Sequence, residues 1–326
     1  MKVSYKFIKI VKRGTVETVI AKLIPIFILA LIGFFAGKLK LLPENTSDAL
    51  CTFLFYFSAP AVSFVNIVTS DIETVFNLRY ALALIVFEMS VFCLLLLFYK
   101  KIFNLEGSNL IVHSLCSFYG NISYVGIPVF LTLFNNVIPN VITILVHGIL
   151  TFPLMIFLLD IFSGSKSKKG ASHAIKSAIK NPNIFIPLIG ALLLYLKISV
   201  PKVIIDTADL LGKPTTTAGM FALGLTCAQS KEKIASPKIF FNALLSAVIK
   251  LVFCPLAAWF IGKYIFALDQ WWLNALVIIA MLPAALNDYI LSQRYHADET
   301  YASMAVLLSN LLFSVTISLY ILFIGL

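Results

Sequence analysis

The sequence predicts an all-α polytopic membrane protein, and three observations predict it. Hydrophobic residues make up 60% of the 326 residues and charged residues 12%, about half the usual charged share of a soluble domain. The mean hydropathy is +0.97, and too few charges remain to coat a soluble globule of this length. The apolar residues come in runs, whereas the strands of a membrane barrel alternate with period two. Disorder, collagen and coiled coil are excluded by the same composition.

A span needs about 20 mostly apolar residues. Ten runs are read as spans: 19–38, 49–69, 78–99, 110–134, 138–162, 183–197, 203–229, 238–263, 271–293 and 300–325. A basic tail, 1–18, precedes them, and a basic linker, 163–181, divides them five and five. No cleavable signal peptide is evident, because the run after the tail is long enough to span and lacks a cleavage site. The cysteines Cys51, Cys93, Cys116, Cys227 and Cys254 lie inside apolar runs with no CxxC pair. They read as small buried hydrophobes, neither a disulfide framework nor a metal site.

Lys and Arg in the connections give the orientation. Connections 1–2, 3–4, 5–6, 7–8 and 9–10 hold 13 of them, and the other connections only Arg79, Lys197, Lys202 and Lys263. The first set is therefore assigned to the cytoplasm, with both termini outside a cell membrane. The tail, with Lys2, Lys6, Lys9, Lys12 and Arg13, opposes this, but the loops agree at five places.

Five spans per half force the second half to run inverted relative to the first, an arrangement common in secondary transporters. Helix breakers recur in both halves. The second span carries Ser58-Ala59-Pro60 and the seventh Gly212-Lys213-Pro214. The fourth carries Gly120-Asn121 and Gly126-Ile127-Pro128, and the ninth Pro283 followed by Asn287-Asp288. Proline removes a backbone hydrogen bond and breaks or kinks a helix. In lipid the freed groups must face protein or a water-filled cavity. Paired breaks thus predict a polar site near the membrane midplane. Glu88 and Lys250 stand at corresponding places in the third and eighth spans. A charge there is costly and calls for a partner or a pathway. Either the two pair with each other or each braces its own crossover helix; the sequence leaves both open.

Asn121-Ile-Ser-Tyr-Val-Gly-Ile-Pro128 resembles the fourth-helix motif of the auxin efflux carrier family, which includes plant PIN proteins and bacterial homologues often called malate permeases. Asn181-Pro-Asn183 resembles the family's Asn-Pro-Asn motif, and Pro201-Lys202 with Met220 to Gly224 its seventh-helix pattern. Lys250 five residues before Pro255, Tyr295 to Asp298, and Ala302-Ser303 are similar to its later motifs. The resemblance runs from about residue 20 to 326. It implies ten helices in two inverted five-helix repeats with broken, crossing helices 4 and 9, as in bile acid symporters and sodium/proton antiporters. Residues 19–69 and 182–230 would form a scaffold, and 78–162 and 237–326 a transport domain. It implies elevator-type transport of small organic anions such as malate. By resemblance Asn121 and Asn183 contact substrate and Ala59 lines an apolar pocket; with Gly126, Pro128 and Pro283 of the broken segments they make up the expected substrate-binding set.

The chemistry agrees. A half-helix N-terminus offers free N–H groups and the positive dipole end to a carboxylate, and an asparagine adds a neutral donor. For Asn121 a helix-break cap, and for Asn183 an N-cap, are the structural alternatives. Two departures stand out. The linker is about 19 residues, so the long regulatory loop of plant members is missing. In the ninth span Asp288, after Asn287, replaces the second proline of the plant pattern. A carboxylate there either carries Na⁺ or H⁺ as a coupling ion or caps freed N–H groups. Gly33-Phe-Phe-Ala-Gly37 permits close helix packing, within the protomer or across a homodimer through the scaffold helices.

No HExxH or GxSxG signature is present, so an enzyme is not expected, nor is a metal, an organic cofactor or a nucleic-acid partner. The basic linker reads as the positive-inside rule and headgroup contact. A uniporter or channel-like facilitator of an auxin-like aromatic carboxylate stays open beside the secondary active carrier. The Lys, Ile and Asn content points to a bacterial plasma membrane.

Overall fold

The computed structural model describes residues 16–43, 45–134, 136–162, 182–229 and 236–324. Most of the basic tail and the whole 163–181 linker lie outside the described residues. All regular structure among the described residues is helical, with one isolated antiparallel bridge between Gly120 and Ala284.

The helices run in order as α1 (Val16–Lys38), α2 (Thr46–Val68), α3 (Leu78–Phe103), α4 (Gly107–Phe118), α5 (Ile127–Phe134) and α6 (Ile138–Phe162). They continue as α7 (Pro182–Tyr195), α8 (Lys202–Gly212), α9 (Pro214–Gln229), α10 (Pro237–Ile265), α11 (Gln270–Met281), α12 (Leu286–Arg294) and α13 (Glu299–Ile324). Among the described residues five helices, α2, α3, α6, α10 and α13, are long and apolar enough to cross a membrane. The breaks account for several of the shorter pieces: α4 and α5 have 12 and 8 residues, and α11 and α12 have 12 and 9.

α3 shows how sequence dictates an element here. Asn77 caps its start, accepting from the Tyr80 N–H at 3.0 Å. Asn104 ends it in the left-handed conformation, and Lys100 and Lys101 sit in its last turn, where positive charge suits the dipole. Tyr80, Leu84, Phe87, Val91 and Leu95 are buried, at helical spacing, whereas Leu78, Leu82, Leu94 and Leu97 are exposed. A helix apolar on every face, with one face open, is suited to lipid.

α1 packs along α9, while α2 packs on α7 and α8. α3 packs on α4, α10 on α11 and α13, and α12 on α13. The α1–α9 approach needs glycine. Gly33 faces the Phe221 carbonyl and Gly224 the Ala30 carbonyl, and a Cβ at either place would overlap that backbone. Gly37 lies against Ala228 and Leu225, so both glycines of the GxxxG pattern are used inside the chain.

The second span corrects the sequence reading. It is not broken at Ser58-Ala59-Pro60: α2 is continuous, with a π turn at Leu54–Ser58 and Pro60 in the first turn after it. The wider turn absorbs the ring and the missing N–H without freeing a segment. The seventh span does divide, at Lys213 between α8 and α9. Ser58 and Thr215 are hydrogen bonded at 2.7 Å, which ties the π turn to the start of α9.

Candidate functional site

α4 ends at Phe118, and Tyr119 turns the chain into an extended conformation. A π turn, Ile122–Gly126, leads into α5. α11 ends at Met281, Leu282 is extended, and α12 begins at Leu286. Pro283 has no N–H to continue α11. Pro128 sits at the second position of α5, where a missing N–H costs nothing. The two unwound segments meet: Gly120 and Ala284 form the antiparallel bridge, and the Asn121 N–H donates to the Pro283 carbonyl at 2.8 Å. Two interrupted helices are thereby joined at their interruptions. The Asn121 carbonyl in turn accepts from the N–H groups of Val125 and Gly126 at 3.2 and 2.9 Å.

Lys250 reaches this crossing from a π turn of α10, Ile249–Phe253, and is fully buried. Its Nζ donates to the Phe118 carbonyl at 2.6 Å and to the Ala280 carbonyl at 2.8 Å. One ammonium group thus caps the carbonyl ends of both α4 and α11, where orphan carbonyls and the negative dipole ends call for a cation. Glu88 is bound elsewhere. It pairs with His147 Nε2 and accepts from Thr151 Oγ1 at 2.7 Å, all three buried. His147 stacks on Tyr119, with ring centroids 4.5 Å apart, so Glu88 acts on the crossing through His147. Of the two arrangements left open by the sequence, the direct Glu88–Lys250 pair is not the one formed.

Asp288 lies in the first turn of α12 and is fully buried. Its Oδ2 accepts from the Ala285 N–H at 3.2 Å, and its Oδ1 has no partner among the described residues. Half of this carboxylate caps the break and half is uncommitted. Asn287 beside it is half-buried. From α13, Ser309 Oγ accepts from the Ala284 N–H at 3.0 Å and Asn310 Nδ2 donates to the Ala284 carbonyl at 3.4 Å. Both backbone groups of Ala284 are thereby served, as burial in an apolar medium requires.

The crossing therefore gathers Asn121, Gly126, Pro128, Pro283, Asp288 and Lys250, with Glu88 one residue removed. Ala59 is buried on α2, a helix that packs against α7, α8 and the first half of α6. Asn183 follows Pro182 in the first turn of α7, and its side chain lies outside the described residues. An open groove lined by Ser70, Asp71, Lys197 and Ser199 at the ends of α2 and α7 includes none of the substrate-binding or coupling residues expected from sequence.

Sequence reasoning gave several buried polar groups no place in the site. His113 Nε2 bonds Asp298 Oδ2 at 2.9 Å, and its ring stacks on Tyr301 with centroids 3.4 Å apart. Ser117 Oγ joins Tyr99 OH at 2.6 Å and Ser246 Oγ at 2.9 Å. Asn140, fully buried on α6, faces Gly126. These partners are far apart in the chain, and only their polarity inside apolar runs could have drawn attention to them.

An all-helical, lipid-suited chain with two helices interrupted and joined at a buried polar crossing is a polytopic membrane protein built for transport. Residues 18–321 match the family described as "Membrane transport protein", and the chain belongs to that family, the family of the PIN-like auxin efflux carriers. It is 27% identical over 309 residues to the uncharacterized transporter YfdV of Escherichia coli K12, covering 93% of this chain and 96% of that one. It is 24% identical over 302 residues to a putative malonate transporter of Rhizobium meliloti, covering 90% and 92%. It is 23% identical over 307 residues to the uncharacterized transporter MJ1031 of Methanocaldococcus jannaschii, covering 91% and 94%. The chain is a membrane transporter and not an enzyme.

Proposed function

We propose that this protein is a secondary active carrier of small organic anions of the malonate and malate class, working by elevator-type alternation of access. The observation that carries the reading is the crossing itself: two unwound segments bridged through Asn121 N and Pro283 O, their carbonyl ends capped by Lys250. That cap leaves the opposite, N–H-bearing ends, of the π turn before α5 and of α12, to face an anion. Asn121 adds a neutral amide, and the buried cation, Lys250, is engaged by the carbonyl ends. The packing of α1, α2 and α7–α9 among themselves fits a scaffold, and that of α3–α6 with α10–α13 a transport domain. The breaks at α4–α5 and α11–α12 fall at equivalent places of an inverted five-plus-five repeat. The name of the Rhizobium meliloti relative supports a small dicarboxylate.

Asp288 is the coupling group in this reading, holding H⁺ or Na⁺ beside the substrate. Its uncommitted Oδ1 supports that role, and a carboxylate left unneutralised would repel the anion. The test is uptake of radiolabelled malonate, malate and an indole acid into proteoliposomes with imposed pH or Na⁺ gradients. Saturable carboxylate flux driven by a gradient is expected. Asp288→Asn should retain downhill exchange and lose the gradient dependence. An unchanged dependence overturns the coupling role, and no carboxylate flux under any gradient overturns the anion assignment.

A further inference from the structure

Asn140 is the third residue of α6 and is fully buried, with both Nδ2 and Oδ1 lacking a partner among the described residues. A buried carboxamide in this state is a standing cost, since each unmade hydrogen bond leaves its desolvation uncompensated. Its polar neighbours on the chain are already engaged. Asn136 Oδ1 accepts from the Ile138 N–H at 2.8 Å, and Thr143 Oγ1 donates to the Pro139 carbonyl at 2.7 Å. The packing leaves Asn140 one direction that matters: its Oδ1 and Cγ lie over Gly126, where a Cβ would collide with them. Leu282 Cδ1 closes the same spot, 2.9 Å from that Cβ position. The carboxamide thus sits where the end of the α4–α5 break, the start of α6 and the α11–α12 break converge.

Two further features give the place a sign. Gly126 immediately precedes α5, and Asn140 lies in the first turn of the 25-residue α6. The π turn that leads into α5 and the positive dipole end of α6 therefore flank one unpartnered amide. Asn121 stands at the other end of the same turn, its carbonyl bonded to the Gly126 N–H at 2.9 Å. An amide oxygen and nitrogen exchange places by a simple flip, so Nδ2 can be the group turned to the ligand.

We infer that Asn140 is a substrate-binding residue of this carrier, a second carboxamide that donates to a carboxylate group of the transported anion across the Gly126 turn. The inference rests on the anion-carrier reading above and adds a specificity determinant to it: with Asn121 at one end of the turn and Asn140 at the other, a short dicarboxylate is bound at two points. Glycine at 126 is required because the amide occupies the space of its side chain.

The test measures KM and maximal rate for radiolabelled malonate in proteoliposomes, together with thermal unfolding in detergent, for the wild type, Asn140→Leu, Asn140→Ser and Asn140→Asp. Leucine has the same branched side chain of four heavy atoms and removes the unpartnered polar atoms. It should leave the unfolding temperature unchanged or raise it, while KM rises by about tenfold or more, the loss of a hydrogen bond to a charged group. Asn140→Ser, which keeps a small donor, should fall between, and Asn140→Asp should abolish flux by repulsion. A leucine variant whose KM stays within about twofold of wild type overturns the inference. So does a lowered unfolding temperature with unchanged KM, which marks a packing residue, or an altered Na⁺ dependence alone, which marks a cation ligand. Absence of carboxylate flux in the wild type itself overturns the carrier reading, and this inference with it, whereas normal wild-type flux with an indifferent Asn140 overturns this inference alone.

Discussion

The two ends of each helix break are treated differently. On the carbonyl side a single ammonium, Lys250, bonds Phe118 and Ala280 at 2.6 and 2.8 Å. On the N–H side, polar atoms are left over: Asp288 Oδ1 and both polar atoms of Asn140 have no partner among the described residues. Both sides are equally buried, so exposure to water does not explain the contrast. A medium of low polarity penalises every unmade bond, and a fold under that penalty fills them unless something else is to fill them. The carbonyl side is where the crossing is held together, and the N–H side is where it has capacity to bind.

Breaking the satisfied side should have the largest effect. Lys250→Met strands two buried carbonyls at about 1–3 kcal/mol each. It is expected to lower the unfolding temperature in detergent markedly and to abolish transport. A variant as stable as wild type would show that the carbonyls do not depend on the lysine. Ser309→Ala is the milder form of the same operation, since it removes the acceptor of the Ala284 N–H and a donor to the Val306 carbonyl. About 1 kcal/mol of stability should be lost, read from the same melting curves, with flux reduced but present. On the open side the order reverses. Asp288→Asn keeps one carbonyl oxygen to accept from the Ala285 N–H and puts an NH2 group where Oδ1 stood. Its effect on unfolding should be under about 1 kcal/mol, while the effect on gradient dependence is total. A large loss of stability in this variant would place Asp288 with the structural groups.

The contrast also separates what the sequence disclosed from what it did not. Breakers act locally, so Pro283, Gly126 and Asn121 announced the interruptions directly, and the composition announced the helical membrane class. Pro60 carried the same local signal but made no break, because a π turn absorbed it. The cost of burying a charge singled out Lys250 and Glu88, yet their partners stayed hidden. Lys250 bonds backbone carbonyls, which have no sequence signature, and Glu88 bonds His147, 59 residues away. Asn140 carried no signal in the sequence. Its significance lies in an absence of partners, which only packing reveals.

The account stands on the claim that the crossing binds the transported anion. Saturable malonate flux into proteoliposomes, compared between the wild type and Asn121→Ala, tests it most directly. Alanine keeps the backbone bond from residue 121 to Pro283 and removes only the side-chain amide. The account predicts that the folded variant loses saturable flux at concentrations where the wild type is near its maximal rate. A folded Asn121→Ala protein with wild-type KM and rate would contradict it.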